Sequence, residues 1–489
     1  MNKYFIISTV LLTFACFQVS TLFGQKNKNN AKEIEEKITQ VESNLIGAVQ
    51  IENVPPVKWT LAERMKFYHA NGISITVIKD YKIEWSKSYG WADSLEQRPV
   101  TPITRFQAGS ISKSLNAIGV LKLVQDGKIN LTEDINTYLK TWKFPYDTLS
   151  KGKKITVANL LSHTAGITIH GFPGYEIGDT IPTLSQILDG QKPANTKAVR
   201  SIYEPSLKYQ YSGGGTTISQ LIIEDITGLP YDEYMWKNVL KPLGMGNSSY
   251  TQPPTNKLKK LLATGYYNDG KPVKGKYHIY PEQAAAGLWT TSNDLAKYVI
   301  ETQLALEGKS HKVLNREMTT LRLTPYIDNS SAFGVFILNK GGFKYFNHSG
   351  VDEGFVSQYM GSFEGGNGVV VMTNTYNTAL FNEVIYSVAS TYNWKNYSPE
   401  VRKTISLPEP LIATYIGKYI LENDTLAIVK KSDGIYIEDL TEKTSWKMYF
   451  TDHANFFVIE NRMKFGFQID DISKSISLKI NNWVYKKLE

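Results

Sequence analysis

Cysteine is almost absent from this chain of 489 residues: the one present, Cys16, lies in the N-terminal apolar segment, so the rest of the chain has no internal disulfide and no thiolate metal site. A second long apolar run is also missing, and nothing after Asn30 is long and apolar enough to span a bilayer. The sequence has no dense basic block and no aromatic stripe interleaved with one. The net charge of +8 therefore reads as a solvated surface, with no nucleic-acid partner. There is no G-x-S-x-G elbow, which argues against the α/β-hydrolase plan. Low-complexity tracts are lacking too, and 42% hydrophobic with 20% charged residues suits a chain that buries a large core.

The N-terminal segment MNKYFIISTVLLTFACFQVSTLFGQKNKNN has Lys3, then an apolar run from Tyr4 to Phe17, then small and polar residues. It reads as an export signal over residues 1–24, removed near Gly24, with lipid attachment at Cys16 as the alternative. The protein is accordingly expected outside the cytoplasm, periplasmic or extracellular, in a bacterial cell envelope. Residues 25–60 read as a tether with an exposed helix over Ala31 to Asn44.

Residues 61–397 form the expected main domain. A helix is placed at Leu61 to Ala70, and GISITVIKDYKIEWSKSYGWAD alternates apolar residues around Asp80-Tyr81 as a β-hairpin does. Helices follow around Ser110, from Ile155 to Ser162 and from Thr217 to Thr227. Between them Thr164 to Ser206 is irregular, with one short helix. Strands are expected at Phe343 to Asn347, Phe355 to Met360 and Gly368 to Asn374, then a helix at Leu380 to Tyr392. Helices bracketing adjacent strands give an α+β plan with an antiparallel sheet. Residues 398–410, with three prolines, read as a linker. Residues 411–489 alternate in short runs between polar turns, as an all-β barrel or sandwich does.

The chemistry starts in FQAGSISKSLNAIGVLKLV, where a Gly-Ser pair opens an apolar helix. Residues three apart share a helix face, so Ser110 and Lys113 point into one space. A serine hydroxyl needs a base, and a desolvated amine has its pKa lowered enough to serve. In KYQYSGGGTTISQL, Tyr211 precedes Ser212 and three glycines on what reads as a ligand-approaching loop. Beside Lys113 its phenol is expected to be acidified and to act as a base. In YFNHSGVDEGFVSQY, His348 ends a strand and Ser349-Gly350 follow, leaving the Val351 amide to join that of Ser110 at an oxyanion. His163, in LLSHTAG, competes as the base of a Ser-His-Asp arrangement but reads as a helix stop.

In this order the three motifs resemble the serine β-lactamase and penicillin-binding protein superfamily, with its S-x-x-K, S-D-N and K-T-G elements. The branch resembled is that of class C β-lactamases and related carboxypeptidases and esterases, where Y-S-x and H-x-G variants match Tyr211-Ser212-Gly213 and His348-Ser349-Gly350. ITVANLLSHTAGI, ITGLPYDEYMWKNVLKPLGM and AAAGLWTTSNDLAKYV also look like the family, and the likeness covers Gly72 to Tyr392. The resemblance implies a β-lactamase/transpeptidase-like fold, a lipocalin-like C-terminal appendage, and no metal or organic cofactor. It implies a covalent acyl-enzyme on Ser110, proton transfer by Lys113 and Tyr211, and substrate positioning by His348. Ser349, Gly350 and Gly213 complete the substrate wall, and the amides of Ser110 and Val351 hold the oxyanion.

Gly213 stands where the family has asparagine, and His348 where it often has lysine. A constant positive charge is thereby expected to become pH-dependent. Both departures favour ester or peptide hydrolysis, including D-amino-acid peptides, over a β-lactamase or D-alanyl-D-alanine carboxypeptidase. A non-catalytic sensor of cell-wall fragments is the reading from a different class. The expected partner is a small-molecule or peptide substrate.

Overall fold

The structure, a computed structural model, describes residues 30–488 apart from 423, 442, 471, 473 and 474. The expected export signal and Cys16 lie outside the described residues.

Seven strands form one antiparallel sheet: β1 (Gly72–Lys79), β2 (Lys82–Asp93), β3 (Arg98–Pro99), β4 (Phe336–Lys340), β5 (Phe343–Asp352), β6 (Phe355–Ser362) and β7 (Gly368–Thr373). Their order is β3-β2-β1-β7-β6-β5-β4, so the hairpin near the N-terminus pairs with strands almost three hundred residues later, Gly368 facing Ile78 and Thr373 facing Ile73. The β1–β2 turn falls at Asp80 and Tyr81, both at positive φ as a tight hairpin requires.

Central strands are apolar on both faces because helices cover both. In β7, Val369 and Val371 face the Ala379–Thr391 helix, whereas Val370 and Met372 join the core shared with the Ser292–Leu306 and Ser112–Gln125 helices. The fold is thus α+β, as expected.

Two expectations change. Residues 30–43 are helical, but not an exposed tether: Ile38 and Val41, followed by Leu45, are buried with the Ala379–Thr391 helix. The expected linker is likewise tied down, because Glu400–Arg402 pairs in parallel with Val49–Ile51 and the Ile405 amide donates to the Phe450 carbonyl.

The C-terminal region has its own core, centred on Tyr419, Ile428, Phe456, Phe467 and Leu478. Its nine-stranded sheet begins with Thr444–Lys447 and ends with Tyr449–Phe450, so the two edge strands are separated only by Met448 and the sheet curls into a nearly closed barrel. It meets the rest of the chain where Val49 N–H donates to the Ile459 carbonyl. Close by, Arg64 pairs bidentately with Glu383 at 2.5 and 2.8 Å, both residues buried beside Glu460.

Candidate active site

The chain running into Ser110 is clamped. Phe106–Gln107 pairs with Trp289–Thr290, the Ala108 amide donates to Leu288, and the Leu288 amide donates to Ser112 Oγ. Gly109 at φ +50° then starts a short 3-10 turn, Gly109–Ile111, that feeds the Ser112–Gln125 helix. Ser110 therefore sits just ahead of the α-helix, and Lys113 within its first turn.

β4 pairs with β5 only as far as Asn347, which leaves the edge from His348 to Asp352 open to that turn. Contact there is closer than any side chain permits. A Cβ on Gly350 would lie 1.8 Å from the Ala108 carbonyl oxygen and 2.9 Å from the Ser110 nitrogen, and one on Gly109 would lie 2.5 Å from the Val351 nitrogen. Glycine at both positions brings the Ser110 and Val351 backbones side by side.

Lys113 is 3% exposed, and its Nζ donates to Ser110 Oγ at 2.9 Å and to the Ala285 carbonyl at 2.7 Å. Both partners are neutral, so burial holds the amine down to about 7 against the opposing pull of Asp352. Near neutrality much of Lys113 is a free amine in contact with the serine oxygen, which is the state a base requires.

Tyr211 comes next, its ring centroid 5.1 Å from Lys113 Nζ. Burial raises its pKa, and hydrogen bonding with Ser110 only partly opposes this, which reverses the acidification expected from the sequence. The phenol stays protonated because desolvating a phenolate outweighs a nearby amine that is itself only partly charged. The glycines after it lie in a helix instead of a loop: Gly213–Thr227 is helical from its first glycine, with Ser212 as N-cap accepting from the Gly215 amide. The Gly213 and Gly214 amides donate to the His170 and Ile169 carbonyls, which locks the irregular loop onto this helix start.

His163 supports Tyr211. Its Nδ1 accepts from the Ser212 amide at 3.2 Å and its ring packs 4.3 Å from that of Tyr211, while burial drives its pKa well below the usual histidine value. With that nitrogen occupied by the backbone, it is not arranged as a base for Ser110.

His348 lies inside β5 instead of at its end, 2% exposed, with Nδ1 2.6 Å from the Ser349 carbonyl oxygen and Nε2 unpartnered. Burial, reinforced by Lys113, pushes it down to about 3. The charge expected to switch near neutral pH is therefore absent across the physiological range. Along β5, His348, Gly350 and Asp352 point inward, while Ser349 and Val351 are exposed.

The cleft over Ser110 has a volume of about 610 Å³ and brings together Ser110, Lys113, Tyr211, His348, Ser349 and Val351. Gly350 packs against the Ala108 and Ser110 backbone and Gly213 against Phe172 and His170, so neither lines the cleft itself. Several lining residues escaped the sequence reading: Phe172, Tyr209, Phe336, Ala285, Asp352 and Tyr376. For Asp352 the strand period was a usable signal, since it shares the inward side with His348 and Gly350. The pairing of β4 with β5, which delivers Phe336, carries no local signal.

A sequence model of the family described as Beta-lactamase matches residues 57–392. Protein flp of Staphylococcus aureus (strain N315) is 26% identical over 340 residues, covering 68% of this chain and 65% of that protein, so the chain spans just under two thirds of this relative's length. The putative penicillin-binding protein PbpX of Bacillus subtilis (strain 168) is 25% identical, with 73% and 80% covered. Among solved structures, the octameric penicillin-binding protein homologue from Pyrococcus abyssi aligns over 87% of this chain and 98% of its own at a TM-score of 0.61 and 22% identity. FmtA from Staphylococcus aureus aligns over 71% and 91% at a TM-score of 0.53 and 20% identity. These last two are likenesses of fold.

Proposed function

The chain belongs to the beta-lactamase family, and from that membership we propose that it is an exported serine hydrolase, working through an acyl-enzyme on Ser110 and cleaving an ester or peptide carbonyl. The observation that carries this reading is the 2.9 Å hydrogen bond from a buried, easily neutralised Lys113 to Ser110 Oγ.

In the proposed reaction Ser110 Oγ bonds to the carbonyl carbon as its proton passes to the free amine of Lys113. The carbonyl oxygen takes the negative charge and accepts from the Ser110 and Val351 amides, each such donor being worth about 3 kcal/mol. Collapse breaks the bond to the leaving oxygen or nitrogen, which receives a proton from the Lys113 ammonium by way of the Tyr211 hydroxyl. Tyr211, kept neutral by burial, serves as a hydrogen-bond donor and shuttle. Water then adds to the acyl carbon as its proton passes to Lys113, and the bond to Ser110 Oγ breaks as Lys113 returns that proton to Oγ, which frees the acid and restores the serine hydroxyl and the free amine.

Two features weigh against β-lactams and D-alanyl-D-alanine peptides as substrates. Gly213 offers no amide to an acylamino group, and neutral His348 offers no charge to a carboxylate. Turnover of p-nitrophenyl acetate by the purified protein tests the reading. The wild type is expected to hydrolyse it and Ser110→Ala to fall by at least about 10³-fold. Equal rates in the two proteins would reject it.

A further inference from the structure

The wall facing Ser110 is made of rings. Tyr209 and Tyr211 turn to the same side, both packing against His163 and Phe336. Phe336 stacks 6.4 Å from Tyr211 at 24°, and Tyr209 meets Phe336 edge-on at 6.3 Å. None of the three is fully covered by the protein, so each shows part of an aromatic face to the cleft.

Phe172 also lines the cleft, beside the start of the Gly213–Thr227 helix. A Cβ on Gly213 would come within 3.1 Å of the Phe172 ring and 3.1 Å of the His170 carbonyl oxygen. The space that a longer side chain at 213 would need is thus filled by an aromatic ring, and the loop bearing it is fixed by the Gly213 and Gly214 amides.

Charge points the same way. Among the described residues that line the cleft there is no arginine and no lysine but Lys113, whose amine is already engaged with Ser110 and Ala285. The one acidic lining residue, Asp352, is buried. A substrate carboxylate beside the scissile bond would lose its water with no permanent cation to replace it, whereas a flat apolar group would cover the part-exposed rings.

We propose that this cleft is an acyl pocket for uncharged aryl or arylalkyl esters, with the rings of Phe172, Tyr209 and Phe336 packing against the ring next to the scissile carbonyl. The proposal rests on the serine-hydrolase reading above and specifies its substrate class.

The test compares kcat/KM for the p-nitrophenyl esters of phenylacetic, acetic and succinic acids, the last carrying a free carboxylate, each corrected for its uncatalysed rate. The phenylacetyl ester is expected to exceed the acetyl ester by at least about tenfold, and the succinyl ester to fall below the acetyl ester. Phe172→Ala should lower the phenylacetyl-to-acetyl ratio by about fivefold, and Gly213→Asn should lower it by displacing the Phe172 ring. Stoichiometric fluorophosphonate labelling of each variant shows that it is folded and competent, so a change in ratio reports the pocket.

Equal rates for the phenylacetyl and acetyl esters, preference for the succinyl ester, or an unchanged ratio in both labelled variants would overturn the proposal while leaving the hydrolase reading intact. A wild type that neither labels nor turns over any ester would overturn both.

Discussion

Lys113 decides what the site can do. An amine at its ordinary value would be charged at neutral pH and useless as a base, but burial between a hydroxyl and a carbonyl brings it down to about 7. The acylation rate by an activated ester should therefore rise with pH through a single ionisation centred near 7 and level off above it, because only the deprotonated amine accepts the Ser110 proton. Stopped-flow acylation rates between pH 5 and 9 check this; a rate flat across that range would assign the base to another group. His348, held at about 3, should add no step of its own between pH 5 and 8. The Ser110–Lys113 pair was legible because it is local, three residues along one helix face. Tyr211 and His348 were legible as motifs, but their protonation was not: burial sets it, and burial comes from loops and strands distant in the chain.

At the scale of elements, the 30–43 helix shows how much pattern can be overlooked when charge dominates a segment. Its glutamates and lysines suggest an exposed tether, yet Ile34, Ile38 and Val41, with Leu45 just beyond, recur at spacings of four and three and make a stripe for the core. Ile38→Ala should cost about 2–5 kcal/mol in urea denaturation, the range for emptying a buried site. A change within about 0.5 kcal/mol would mean the helix is a surface tether after all. The hairpin of β1 and β2 and the body of the helix from Thr217 to Thr227 were legible in the sequence, the first from alternation around Asp80 and Tyr81 and the second from its apolar run up to Gly228. By contrast, β4 was missed because FILNK owes its place to pairing with β5, and the first turn of the Gly213 helix because three glycines read as loop until Ser212 caps them.

The molecule as a whole is tied together at a buried charge cluster. Arg64 and Glu383 form an ion pair in the main body, with Tyr68 donating to Glu383, and Glu460 joins them from the barrel region with its Oε2 unpartnered. Burial pushes Glu460 up to about 7 against the pull of Arg64. Between the ordinary value of 4.5 and about 7 the folded chain holds this proton more tightly than the unfolded chain, so this group's contribution to stability falls as pH rises through that window and is flat above it. Glu460→Gln removes this titrating group. Relative to wild type, the variant should gain up to about 3 kcal/mol in urea denaturation between pH 5 and pH 8. A difference that does not change with pH would show that Glu460 is ionised in the folded chain throughout. Neither this junction nor the pairing of Val49–Ile51 with Glu400–Arg402 could be read from the sequence, since each joins segments hundreds of residues apart that carry no matching local signal.

The central claim, that Ser110 is a nucleophile activated by Lys113, is tested most directly by intact mass and peptide mapping after exposure to a fluorophosphonate. The account predicts one adduct per chain, on the peptide carrying Ser110, absent in Ser110→Ala and formed at least about 10²-fold more slowly in Lys113→Ala. An unmodified wild type, or an adduct that persists in Ser110→Ala, would contradict it.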